Sequence, residues 1–105
     1  MMFSASEALP RLAPKLDRLT RDVLFGDVWQ GAALTPRERS LITIAALLPQ
    51  SRPAALAFHL RRGLDNGLAA GELAEILTHL AFYVGWPAAT AALEQLDAVL
   101  AEPSI

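Results

Sequence analysis

The segment TPRERSLITIAALLP, residues 35–49, constrains the fold more than any other stretch of the chain. It opens with a complete helix start. Thr35 stands at the N-cap, Pro36 at the first helical position and Glu38 at the third, so that Thr35 and Glu38 form a capping box. The next residues are apolar nearly all round, which predicts a helix buried on most of its sides. Thr43 and Ile44 are β-formers, but the long helical pattern around them overrides that preference. Pro49 ends the helix.

The remaining segments are helical as well. Residues 1–13, punctuated by Pro10 and Pro14, are expected to be loose. A first helix is predicted from Pro14 to about Leu24, with Leu16, Leu19 and Val23 as its apolar stripe. Gly26 and Asp27 break it, and an irregular connection anchored by Trp29 leads to the Thr35 cap. A third helix, capped by Ser51, is expected to run to about Asn66, where Asn66-Gly67 is a C-terminal signal. A fourth starts near Ala70 and buries Leu73, Ile76, Leu77, Leu80 and Val84. Gly85 ends it, and a last helix covers about 87–101 with Ala89, Ala92, Leu93, Leu96 and Leu100 inward. No strand, repeat or linker stands out, so residues 1–105 are expected to form one all-α domain of about five helices. The fourth helix has a second face of Glu72, Glu75, His79, Phe82, Tyr83 and Trp86. Its aromatic end predicts an interface or a pocket wall.

Composition narrows the function classes. Hydrophobic residues make up 53% and charged residues 19%, against about 25% charged in an average soluble chain. An apolar surplus in so small a chain points to faces buried between subunits. The net charge of −2 argues against a nucleic-acid binder. The absence of cysteine excludes disulfides, thiolate catalysis and Cys-ligated zinc. Apolar runs fall far short of the ~20 residues of a membrane span. The N-terminal residues lack the pattern of a signal peptide, and the cytoplasm is the expected location.

Few residues carry chemistry. His59 projects from the third helix one turn before Arg62. It reads either as a general acid or base beside a guanidinium, or as a half-buried histidine bonded to a backbone carbonyl. His79 and Glu75, also one turn apart, read as an acid/base pair or as a helix-surface ion pair. No metal-ligand spacing joins the two histidines, so no metal is expected. Glu38 is occupied by capping. Arg39, in the first turn of the most apolar helix, must reach water, a carboxylate or a substrate. Tyr83 and Trp86 read first as packing residues.

Taken in order, FGDVW at 25–29, RSLITIAAL at 39–47, HLRRGLDNG at 59–67, ELAEIL at 72–77 and YVGWPAA at 83–89 resemble the carboxymuconolactone decarboxylase family over about residues 25–102. The resemblance implies an all-α fold like that of alkylhydroperoxidase D, assembled through helix faces as a trimer or hexamer. For the decarboxylase branch it implies a lyase needing no cofactor that converts a small carboxylated lactone, 4-carboxymuconolactone. His59 would be the proton donor, Arg39 and Arg62 would hold carboxylate or oxyanion, and His79 and Tyr83 would line the substrate site. Arg61 is expected at the surface. The alternatives are another small substrate or a helical assembly module without catalysis. The thiol peroxidase branch works through a CxxC pair that this chain lacks. Two positions depart from the family: His79 stands where relatives often carry glutamine, and Ala69 lacks the hydroxyl that usually caps the fourth helix. Convergence of His59 and Arg39 on one pocket would favour an enzyme; a His59 locked to backbone would favour the module.

Overall fold

The computed structural model describes residues 7–103. Among them every regular element is helical. Helix α1 spans Ala8–Leu12 and α2 spans Pro14–Leu19; α2 continues directly into a π-helix, Thr20–Phe25. A 3-10 turn, Val28–Gln30, precedes α3 (Pro36–Leu47), and a second, Leu48–Gln50, links it to α4 (Pro53–Asp65). Helices α5 (Ala70–Val84) and α6 (Trp86–Leu100) complete the chain. Of the segment expected to be loose, residues 1–6 lie outside the described residues, and Ala8–Leu12 forms a short helix that buries no side chain.

Helix α4 packs on α3 and α6, and α5 packs on α6. Ile44, Leu60, Leu73 and Leu77 are fully enclosed where these helices meet, with Leu48, Leu56, Leu96 and Val99 around them. Each such side chain contributes on the order of 1.5–3 kcal/mol by leaving water. Close approach near the end of α4 depends on Gly63: a Cβ there would lie 3.2 Å from Leu68 and 3.4 Å from Ile44. Helix α4 ends at Asn66, and Gly67 comes next with φ of 103°, a conformation that suits glycine. Asn66 Nδ2 donates to the buried Ser40 Oγ at 2.9 Å, tying the end of α4 to α3.

The Thr35–Glu38 capping box forms as expected. At α5 the Glu72 carboxylate accepts from the Ala69 N–H at 2.9 Å, so the missing hydroxyl leaves half of such a box in place. Glu72 also pairs with Arg37 across from α3.

Several expectations are corrected. Ser51 does not cap α4; it adopts a left-handed conformation, φ 53°, and Arg52 occupies the N-cap position with no side-chain bond. Helix α3 is not enclosed on most sides, since only Ser40 and Ile44 are buried and Ile42 is 52% exposed. The Leu16, Leu19 and Val23 stripe faces outward, and on α6 Val99 is inward while Leu93 and Leu100 are exposed. Helical period alone specifies which residues share a face. It does not say whether this chain or another covers that face.

Candidate active site

The π-helix, the Val28–Gln30 turn and α4 bring a group of rings together. A π-helical turn holds extra residues compared with an α-helical one and rotates the chain beyond it. Gly26 caps the end of the π-helix, where a Cβ would lie 2.7 Å from the Asp22 carbonyl oxygen, so only glycine fits that close approach. Its last residue, Phe25, has its ring 6.0 Å from Trp29 and 6.4 Å from Phe58. Trp29 is buried in the 3-10 turn.

His59 and Arg62, one turn apart on α4, both meet this group. The imidazole stacks on Trp29 with centroids 5.9 Å apart and planes within 15°, and it meets Phe58 edge-on at 4.9 Å. The Arg62 guanidinium carbon lies 4.6 Å from the Phe25 centroid and 4.7 Å from that of Trp29, within cation–π range of both. His59 is only 6% exposed. Its Nδ1 is buried and has no partner, and so is Nε of Arg62. Burial, reinforced by the positive charge of Arg62, pushes the imidazole pKa down to about 4. The ring is therefore neutral at pH 7.

Arg39 comes from α3 to the cavity wall that Trp29 also forms. Its Nη2 donates to the Gly31 carbonyl at 3.1 Å, and its buried Nε has no partner. Arg39 and Trp29 share the wall of an open cavity of about 250 Å³ with Leu24, Val28, Ile42 and Thr43. Arg39 thus meets the cavity directly; His59 and Arg62 are not among its lining residues and contact the Trp29 ring that forms part of its wall. An unpaired buried donor costs about 1–3 kcal/mol. The Nε–H groups of Arg39 and Arg62 are two such donors, which an acceptor-rich, anionic molecule would satisfy, and the unpaired imidazole nitrogen of His59 stands beside Arg62.

Other candidates lie elsewhere. His79 lines an open groove of about 250 Å³ with Leu41, Ala45, Glu75, Ile76 and Leu80, and its ring is 5.2 Å from that of Tyr83. Leu41 and Ala45 lie roughly opposite Arg39 and Thr43 around α3 at ~100° per residue, so the His79 groove flanks α3 on the side away from the Arg39 cavity. Tyr83 is 74% exposed. Arg61 makes a two-bond fork with Glu102, at 2.7 and 2.6 Å, at the surface. Glu38 caps α3, and the Thr35 N–H holds its carboxyl below the usual range. Among the described residues no three His, Asp or Glu side chains gather in a way that would hold a metal ion. Phe25, Trp29, Phe58 and Gly31 were not singled out as site residues from sequence. The signal was the FGDVW segment, which places two aromatics four residues apart on the way into the α3 cap.

Residues 14–98 match the carboxymuconolactone decarboxylase family. The chain belongs to that family. It is 38% identical over 81 residues to the 4-carboxymuconolactone decarboxylase of Acinetobacter baylyi, an alignment covering 77% of this chain and 60% of that protein. It is 31% identical over 86 residues to the nitrosuccinic acid decarboxylase npaB of Metarhizium robertsii, covering 82% of this chain and 59% of that one. The chain spans about three-fifths of the length of these curated relatives. The match begins at α2, so it takes in residues 14–24, α2 and all of the π-helix but Phe25, which the residue-by-residue resemblance leaves out. No described helix is long and apolar enough to cross a membrane.

Proposed function

We propose that this protein is a decarboxylase acting on a small anionic substrate that carries a carbonyl conjugated to the departing carboxylate, a carboxylated lactone such as 4-carboxymuconolactone being the model. The observation that carries this is the set of buried, unpartnered nitrogens around Trp29: Arg39 Nε, His59 Nδ1 and Arg62 Nε. Membership in the family and two relatives named as decarboxylases support it.

The chemistry derives from these groups. Loss of CO₂ breaks a carbon–carbon bond and leaves its electron pair on the substrate, where the lactone carbonyl takes it up through the conjugated C=C bond as an extended enolate. Arg39 and Arg62 hold the remaining carboxylate and the enolate oxygen; one donor aimed at such an oxygen is worth ~10²–10³ in rate. The arriving anion offsets the field of Arg62 and raises the His59 pKa from its unliganded value. The imidazole then takes a proton as the substrate binds and delivers it to carbon, forming the new C–H bond and returning to its neutral state. Because the electron sink is the substrate's own carbonyl, this route calls for no metal or organic cofactor.

The assembly belongs to the same proposal. Phe82, Tyr83, Trp86 and Ile42 are exposed on this chain. Phe82 and Trp86 also wall an apolar groove of about 210 Å³ with Leu93. We assign these surfaces, with His79 and Tyr83, to contacts between copies of the chain in a trimer or hexamer.

The test is spectrophotometric turnover of 4-carboxymuconolactone and of nitrosuccinate by wild type and by His59→Ala. Turnover of one of them, lost in the variant, is the expected result. If wild type turns over neither, the decarboxylase assignment fails. If the variant is as active as wild type, His59 has no part in the reaction.

A further inference from the structure

Gly31 comes directly after the Val28–Gln30 turn with φ −62° and ψ 143°, extended backbone that any residue adopts. Its conformation therefore gives no reason for a glycine, but its neighbour does. A Cβ on residue 31 would stand 2.9 Å from Arg39 Nη2 and 3.8 Å from the guanidinium carbon. The first distance is closer than side-chain carbons and nitrogens come. The same nitrogen donates to the Gly31 carbonyl at 3.1 Å. Gly31 thus touches the guanidinium twice, once by holding it and once by leaving it room. That bond uses one of the five N–H donors of an arginine, and Nε stays unpartnered.

We propose that Gly31 is a positioning residue for Arg39: its carbonyl oxygen sets the orientation of the guanidinium beside the Trp29 cavity, and its missing side chain is what permits that orientation. The consequence for substrate handling rests on the proposed role of Arg39 as a substrate-holding group. A methyl group at position 31 meets only the far end of a flexible side chain, apart from an ordinary 3.5 Å contact with the Val28 carbonyl oxygen. Gly31→Ala therefore leaves the fold intact and swings the guanidinium away. A misplacement of about 1 Å in a substrate-holding group can cost up to 10²-fold in rate.

Two measurements on the full chain test this. The first needs no substrate: the Arg Nε–Hε crosspeaks of ¹⁵N-labelled protein, with the Arg39 signal identified by its loss in Arg39→Ala. Gly31→Ala should move the Arg39 crosspeak and leave that of Arg62 in place. An unmoved Arg39 crosspeak in a folded Gly31→Ala protein overturns the proposal; should that variant fail to fold, Gly31→Ala combined with Arg39→Ala, which removes the guanidinium the Cβ meets, should fold again, and its failure to do so overturns the proposal too. The second is a cycle of Gly31→Ala, Arg39→Ala and the double variant, read as kcat/KM for 4-carboxymuconolactone. Gly31→Ala should lose on the order of tenfold or more in the wild-type background and less than about twofold once Arg39 is gone. Equal losses in both backgrounds would overturn an effect exerted through Arg39. If wild type turns over neither 4-carboxymuconolactone nor nitrosuccinate, the decarboxylase assignment falls, and the crosspeak alone decides the role of Gly31.

Discussion

The imidazole of His59 lies nearly parallel to the indole of Trp29, 5.9 Å away, with its buried Nδ1 unpaired. A ring so placed resists a positive charge, because burial strips it of most of its water and Arg62 stands beside it. Its pKa falls from an ordinary value near 6.5 to about 4 on folding, and this ties stability to pH.

The sign is fixed by proton counting. Between pH 6.5 and 4 the unfolded chain binds a proton at residue 59 that the folded chain refuses, so stability falls as pH drops through that window, by at most about 1.4 kcal/mol per pH unit. Below pH 4 this contribution levels off. Glu38, Glu72 and Glu102 have lowered pKa values and lose their contribution only as pH falls through the ordinary carboxylate range and below. Urea unfolding at pH 5–6.5 therefore isolates His59. The slope there should disappear in His59→Phe, and persistence of the slope would contradict the assignment.

Proton uptake on ligand binding is the second expectation. An anion seated beside His59 and Arg62 should draw up to one proton from solvent at a pH between the free and liganded pKa values. Calorimetric titration in buffers of differing ionisation enthalpy measures this directly. His59→Gln should bind with no such uptake.

Arg62 is expected to matter as a plane as well as a charge. Lysine keeps the charge and loses the flat guanidinium that lies over both Phe25 and Trp29. Arg62→Lys should lower kcat/KM by on the order of 10², with a stability loss below about 2 kcal/mol. Kinetics and urea unfolding on the same preparation separate the two effects.

Helix capping explains Glu38 without catalysis. Thr35→Ala should destabilise the protein by about 0.5–2 kcal/mol and leave kcat unchanged at a temperature where the variant is folded. A large drop in kcat for Glu38→Gln beside a normal Thr35→Ala would show a second task for that carboxylate.

The exposed aromatic end of α5 predicts self-association. Sedimentation of wild type should give a multiple of the chain mass, and Phe82→Glu combined with Tyr83→Glu should shift it toward the monomer. A monomeric wild type would refute the assembly.

Helix starts and stops were legible because their signals are local. The Thr35–Glu38 box, Pro36, Gly67 and Gly85 sit within a few residues of the ends they set, and the structure keeps all of them. His59 and Arg62 were legible as a pair because they stand one helical turn apart. The rest depended on contacts between distant segments. Nothing near Trp29 in the chain says that its ring will meet His59, thirty positions away, or that Gly31 will cradle the end of Arg39. Ser51 read as a cap by residue type, but its left-handed backbone turns it away from that task. The Leu16, Leu19 and Val23 stripe was periodic without being buried, and on α6 Ala89, Ala92 and Leu96 are inward as expected while Leu93 and Leu100 are not.

The two tryptophans stand in opposite surroundings. Trp86 is exposed on the α5–α6 corner, and Trp29 is buried at the cavity wall against a neutral imidazole and a guanidinium, both carried by α4. The protein therefore carries a built-in optical probe at the place where a ligand would arrive. In Trp86→Phe the remaining emission comes from Trp29 alone. Protonating its stacked neighbour would quench that light, so a fluorescence titration could track occupancy and the charge on His59 in one unlabelled sample.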